Sequence, residues 1–150
     1  MKNTAFEDLH DKVCVITGGA GVIGSAISKG LSATGMKTVI LDINRELAEK
    51  VATEIQAETG VDVLGLEANV LSRESLEEAR ETIHEEFGRI SFLINGAGGN
   101  SPKATTQVET MDSENKEDWD KTFFGLEMEG FDWVFDLNFK GTLLPSMILA

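Results

Sequence analysis

The chain has 150 residues, the length of one domain able to bury a core, and is 41% hydrophobic and 26% charged, the balance of a soluble globular protein. Its formal net charge of −13 argues against nucleic acid, whose phosphates it would repel, and weakens any case for an anionic membrane surface. No run approaches the roughly 18 apolar residues of a membrane span, MKNTAFEDLH lacks the apolar core of a secretory signal, and the lone Cys14 excludes an internal disulfide and fits a reducing cytoplasm.

Val13–Thr17 is a short apolar run ending in glycines, which predicts a buried strand. Val22 to Thr34 then has Ile23, Ile27 and Leu31 spaced four apart, as on one face of a helix, and Gly35 stands where a glycine ends such a helix. Thr38–Leu41 predicts a second buried strand, closed by Asp42. Asn44 can cap a helix carrying Leu47, Val51 and Ile55 on one stripe, with Gly60 beyond it. Val61–Ala68 predicts the third strand. Ser72 can cap a helix whose Leu76, Ala79, Ile83 and Phe87 share a face, and Gly88 ends it. Ile90–Asn95 predicts the fourth strand.

This alternation predicts an α/β protein with a parallel sheet between two helical layers. Right-handed crossovers favour the order 3-2-1-4, the first four strands of a doubly wound, three-layer sheet. Residues 99–129 then lose all period and are rich in Asp, Glu, Ser and Thr, with Trp119, Phe123 and Phe124 as bulky anchors. They read as a long functional loop or small insertion. From Phe131 to Ala150 the pattern is helical again, with a kink or break expected at Pro145, whose ring removes the bond to the carbonyl of Gly141.

The chemistry sits first in Thr17-Gly18-Gly19-Ala20-Gly21-Val22-Ile23-Gly24, between a strand and an amphipathic helix. Glycines let backbone amides approach a pyrophosphate, and the helix N-terminus adds donors and partial positive charge. Asp42 follows Gly24 by eighteen residues, at the tip of the second strand. A carboxylate there accepts ribose hydroxyls and repels a 2′-phosphate, which points to NAD(H). Arg45 offers the alternative of receiving a 2′-phosphate; otherwise it is a solvated first-turn residue. Cys14 reads as packing, no role falls to His10 or His84, and no metal-ligand spacing is present.

With these motifs the sequence resembles the short-chain dehydrogenase/reductase family over essentially its whole length. Read as TGxxGxxG (Gly18, Gly21, Gly24), the glycines match the sugar-nucleotide epimerase branch. Short-chain enzymes usually carry TGxxxGxG, and Val22 stands at its middle glycine. Asn95-Gly96-Ala97-Gly98 looks like the family's NNAG, and Asn138-Phe139-Lys140-Gly141-Thr142 like its NxxGT, which favours the short-chain branch.

The resemblance implies the N-terminal portion of a single NAD-binding Rossmann domain over 1–150. It implies a cofactor site at Gly18, Gly21, Val22, Ile23, Gly24, Asp42, Asn69, Val70, Asn95, Gly96, Ala97 and Gly98. Within it, Asn69 matches an aspartate that hydrogen-bonds adenine. Asn138 matches the asparagine of an Asn-Ser-Tyr-Lys tetrad, which holds a helix kink and a water of the proton relay. The chain has no tyrosine, and the family's Ser and Tyr-x-x-x-Lys lie beyond residue 150, so a truncated or split frame, or a fragment inactive alone, is expected.

Residues 95–106 and the run from Phe131 to Pro145 look more narrowly like the D-mannonate oxidoreductases (fructuronate reductases) of the short-chain type. That implies a sugar-acid substrate, hydride transfer between D-fructuronate and D-mannonate, a cytoplasmic setting and a homo-oligomeric parent enzyme. Asn100, Ser101 and Lys103 would then face the substrate, with a solvated loop lysine as the plain alternative for Lys103. Two other readings stay open: a sugar-nucleotide epimerase or dehydratase, and a non-catalytic nucleotide-binding fragment.

Overall fold

In a computed structural model, which describes residues 6–108, 110 and 116–150, the run VCVIT forms strand β1 (Val13–Thr17), buried at every position. Only a strand sandwiched between two layers takes apolar side chains on both faces. Val15, Val39 and Leu41 pack on one side with Leu76, Ala79, Ile83, Ile148 and Leu149. Cys14, Ile16 and Ile40 pack on the other, against Met36 and Leu31 or against Ala48, Val51, Ala52 and Ile55. Burying each such Ile or Leu contributes roughly 2 kcal/mol.

Strand and helix alternate through α1 (Val22–Ser32), β2 (Lys37–Asp42), α2 (Arg45–Thr59), β3 (Val63–Glu67), α3 (Arg73–Glu86) and β4 (Ile90–Asn95). The sheet is parallel, in the order β3-β2-β1-β4 that the spacing predicts. Asn44 and Ser72 cap α2 and α3 through Leu47 N and Ser75 N, and Gly60 closes α2 in the left-handed conformation. The third strand is shorter than the apolar run suggested. Strand β4 lies at the sheet edge, and Phe92 on it is 44% exposed.

Helix α1 departs from expectation. Gly24, Ser28 and Ser32 face the sheet, whereas Ile23 and Ile27 are exposed. The helix starts so close to the preceding loop that a Cβ on Gly24 would collide with the Gly18 carbonyl oxygen, so small residues take the inner face. Ser28 Oγ donates to Gly24 O, and the Ser32 and Thr38 hydroxyls share a hydrogen bond.

Beyond β4, 3-10 turns form at Pro102–Ala104, Lys116–Lys121 and Phe123–Gly125; residues 109 and 111–115 of the acidic stretch lie outside the described residues. Trp119 stacks on Phe124 at 5.3 Å. Helix α4 (Met128–Phe135) leads through a π turn (Asp136–Lys140) into α5 (Gly141–Leu149). Helix α5 runs on through Pro145. The break expected at the proline lies one turn earlier, in the π turn, where Gly141 N donates to Asp136 O. A π turn changes the hydrogen-bond ladder just ahead of the carbonyl that the proline leaves unpaired.

Candidate active site

The loop after β1 is held by backbone geometry. Gly18 adopts φ +63°, and a Cβ there would lie 2.8 Å from Ala97 Cα in the loop after β4. The first-turn amides of a helix have no intrahelical partner. In α2 and α3 a side chain takes one of them; the N-cap of α1 is Gly21, which has no side chain to do so. The amides of Val22, Ile23 and Gly24 thus begin a helix whose positive end is turned to the loop. Val22 is 90% exposed and Ile23 76% exposed.

Asp42 closes the other side. Its Oδ1 accepts from Asn44 N at 3.1 Å and its Oδ2 from Ala20 N at 3.3 Å, so the carboxylate braces the glycine loop against the tip of β2. A carboxylate has about four acceptor positions, and two are spoken for here. Arg45 points elsewhere: it pairs with Glu49 at 2.7 Å, which raises its already high pKa, and lines a separate groove between α2 and α3.

Thr17 joins the central strands. Its Oγ1 accepts from Gly96 N at 3.1 Å and Ala97 N at 3.2 Å, fixing the loop after β4 beside the glycine loop. Asn69 Oδ1 accepts from Leu71 N at 2.9 Å, a local turn that presents Asn69 and Val70 at the same cleft.

These segments enclose a cleft of about 590 Å³ at the carboxyl ends of the strands. Gly18, Gly21, Val22, Ile23, Gly24, Asp42, Asn69, Val70, Gly96, Ala97 and Gly98 line it, which brings together all but one of the residues assigned to the cofactor. Asn95 is the exception. Its Nδ2 donates to Ser146 Oγ at 2.9 Å, tying β4 to α5, and its buried Oδ1 has no partner among the described residues. Ile43, Ala68, Trp133 and Leu137 also line the cleft and were not anticipated; Thr17 was read as the start of the glycine motif, but its clamp on the loop after β4 was not.

Asn138 lies in the π turn and embraces Gly99. Its Nδ2 donates to Gly99 O at 2.7 Å and Val134 O at 2.9 Å, and its Oδ1 accepts from Gly99 N at 3.1 Å. Asn100, Ser101 and Lys103 line a smaller cavity of about 290 Å³ with Glu129 and Trp133. Lys103 Nζ lies 2.6 Å from Glu129 and 3.2 Å from Glu127. These bonds hold the ammonium above its usual pKa and the Glu129 carboxyl below its own.

A nucleotide loop, a carboxylate at the second strand tip and an asparagine at a helix irregularity form one constellation on a 3-2-1-4 sheet. The model of the short chain dehydrogenase family matches residues 12–149, and the chain belongs to that family. It is 41% identical to an uncharacterised oxidoreductase of Haemophilus influenzae over 150 residues, covering all of this chain and 52% of the relative. It is 43% identical to one of Bacillus subtilis over 144 residues, covering 96% and 50%. It thus spans about half the length of these curated relatives.

Among solved structures, a protein from Haemophilus influenzae assigned as a D-mannonate oxidoreductase, with NAD bound, superposes with a TM-score of 0.87 at 42% identity. The match covers 94% of this chain and 50% of that one. NAD+-bound xylitol dehydrogenase gives 0.77 at 26% identity, covering 95% and 48%.

Proposed function

We propose that this chain forms the NAD(H) site of a short-chain oxidoreductase that interconverts D-fructuronate and D-mannonate. One observation carries the cofactor assignment: the open amides of α1, the Asp42 carboxylate and the loop Gly96–Gly98 all line one cleft. The glycine loop fits a phosphate-binding turn: a Cβ at Gly18 would strike the Ala97 backbone and one at Gly24 the Gly18 carbonyl, so only glycine lets the loop and the start of α1 close this tightly. The substrate assignment draws support from the 42% identity to the NAD-bound protein assigned as a D-mannonate oxidoreductase.

In this reading the amides of Val22, Ile23 and Gly24 hold the pyrophosphate, and Asp42 holds the adenosine ribose. Asn69 and Val70 border the base. The exposed side chains of Val22 and Ile23, which line the cleft, would border a bound dinucleotide and limit water there. The nicotinamide supplies or accepts the hydride. Asn138 would take the family's relay position: its side chain fixes the loop after β4, and its main-chain carbonyl, in the π turn, accepts from Thr142 Oγ1 at 2.8 Å. The phenolic acid-base that the family uses is not among these 150 residues, which contain no tyrosine. The cytoplasmic setting and homo-oligomeric assembly belong to the same proposal; among the described residues no helix is long and apolar enough to cross a membrane.

Calorimetric titration of the chain with NAD+ and NADH tests the cofactor site, and absence of binding would overturn it. Following NADH absorbance with D-fructuronate, in a polypeptide extended through a Ser and Tyr-x-x-x-Lys motif, tests the substrate. Turnover of a nucleotide sugar in place of the uronate would replace it with an epimerase-like role.

A further inference from the structure

We propose that Trp133 is a specificity-determining residue whose indole receives the uncharged, hydroxyl-bearing end of a polyhydroxy acid. The inference rests on the cofactor and sugar-acid reading above and adds to it where the substrate lies and what holds it.

Trp133 is the side chain shared by two concavities. It lines the cofactor cleft with Gly98 and Leu137, and it lines the smaller cavity with Asn100, Ser101, Lys103 and Glu129. It remains 49% exposed although it borders both. An aromatic surface of that size facing a concave site is apolar area awaiting cover.

The ring is also held in place. Gly99 has no side chain, and a Cβ there would come within 3.1 Å of indole Cη2 and 3.3 Å of Leu137 Cδ2, so the ring edge rests on the Gly99 backbone. Asn138 fixes the same residue through both its N–H and its C=O. A rigid wall of this kind loses little on binding, the condition for discrimination between similar substrates.

Charge decides which end of the substrate lies there. Lys103 is the cation of the smaller cavity, but Glu129 and Glu127 both hold it, so the three groups together carry one negative charge. A substrate carboxylate is repelled from such a cluster rather than drawn to it. Asn100 uses its Oδ1 on Ser101 N and offers its amide N–H2 to a hydroxyl. Trp133 presents a π face, whose negative potential suits the C–H side of a polyol. The carboxylate end then points away from residues 100–103.

The test uses the 150-residue chain saturated with NAD+ and D-mannonate as the probe. Trp133→Ala is expected to weaken D-mannonate binding about tenfold or more, the scale of one lost apolar contact in a pocket, and to weaken NAD+ binding by clearly less, although the indole also borders that cleft. Trp133→Phe should recover most of that loss. Trp119→Phe leaves Trp133 as the sole tryptophan, and its emission should change when D-mannonate is added; this variant keeps the test alive if Trp133→Ala does not fold. Unchanged D-mannonate affinity in Trp133→Ala, an equal loss of NAD+ affinity, or silent Trp133 emission each overturns the proposal. If the unaltered chain binds NAD+ but not D-mannonate, this inference fails and the cofactor reading stands; if it binds neither, the cofactor reading fails first.

Discussion

Asn138 closes its side-chain amide on both backbone groups of Gly99, donating to the carbonyl at 2.7 Å and accepting from the N–H at 3.1 Å. A helix side chain thereby completes the pairing of a loop peptide that has left the sheet. The residue that the resemblance matches to the relay's asparagine is thus also the fastening of the loop beside the cleft.

Asn138→Ala should therefore destabilise the fold by about 1–2 kcal/mol, the scale of unpaired groups in a partly wet site. Asn138→Asp should cost at least as much, because a carboxylate oxygen replaces the amide that donates to Gly99 O and Val134 O. Urea midpoints decide it. An aspartate variant as stable as the original chain would mean that these bonds are not made in solution.

Asp42 should set the cofactor preference. Like charge against a 2′-phosphate, plus a lost ribose hydrogen bond, disfavours NADPH by on the order of a few kcal/mol. The expected result is NADH binding at least about tenfold tighter than NADPH, with Asp42→Ala narrowing the gap. Tighter binding of NADPH by the unaltered chain would pass control to Arg45, which sits on Glu49 and away from the cleft.

Gly18→Val should abolish cofactor binding, whereas Val22→Gly should leave it nearly intact. The first places a branched side chain at φ +63° and against the Ala97 backbone; the second removes a side chain that is 90% exposed. Equal losses in cofactor titrations would show that the loop does not cradle the phosphates.

Hydride transfer by these 150 residues alone should be undetectable with NADH and D-fructuronate in excess. Losing general acid-base help costs about two to four orders of magnitude, and the chain has no tyrosine to give it. Absorbance at the NADH band follows it. A rate near that of a polypeptide extended through the Tyr-x-x-x-Lys motif would sink the family assignment of the acid-base role.

Cys14 supplies a pH dependence. Burial raises its thiol pKa from 9.0 to about 11. Between those values the unfolded chain has lost the proton and the folded chain keeps it, so stability falls as pH rises from about 9 towards 11. Below that window the thiol contributes no slope. Cys14→Ala should flatten this part of the urea-stability profile, and in the intact protein the thiol should react with a disulfide reagent at mild pH only after unfolding. Rapid labelling of the folded chain would contradict its place in β1.

The strand order was legible because four apolar runs, spaced by helical stripes and closed by Gly35, Gly60 and Gly88, leave few ways to wind a parallel sheet. The cradle was legible for the same reason: Gly18 to Gly24 and Asp42 come from adjacent strand tips. The inner face of α1 was not. Ile23, Ile27 and Leu31 have the period of a core stripe, but the tight start of the helix shifts the phase by one residue, to Gly24, Ser28 and Ser32. Trp133 was hidden because a tryptophan in a helix reads as core until the helix has a place. The engagement of Lys103 was hidden because Glu127 and Glu129 lie far along the sequence, in the stretch 99–129 that has no period to place them.

The small inner face of α1 makes that helix act as a rigid lever on the loop before it. Ser32 ties the helix to Thr38 of β2, Ser28 bonds back to Gly24 O within the helix, and Gly24 lies against the turn at Gly18. Bulk introduced at position 28 or 32, far from any ligand, would tilt the lever outward. The amides of Val22 and Ile23 would swing with it. Cofactor affinity should therefore respond to two buried serines that no dinucleotide can touch.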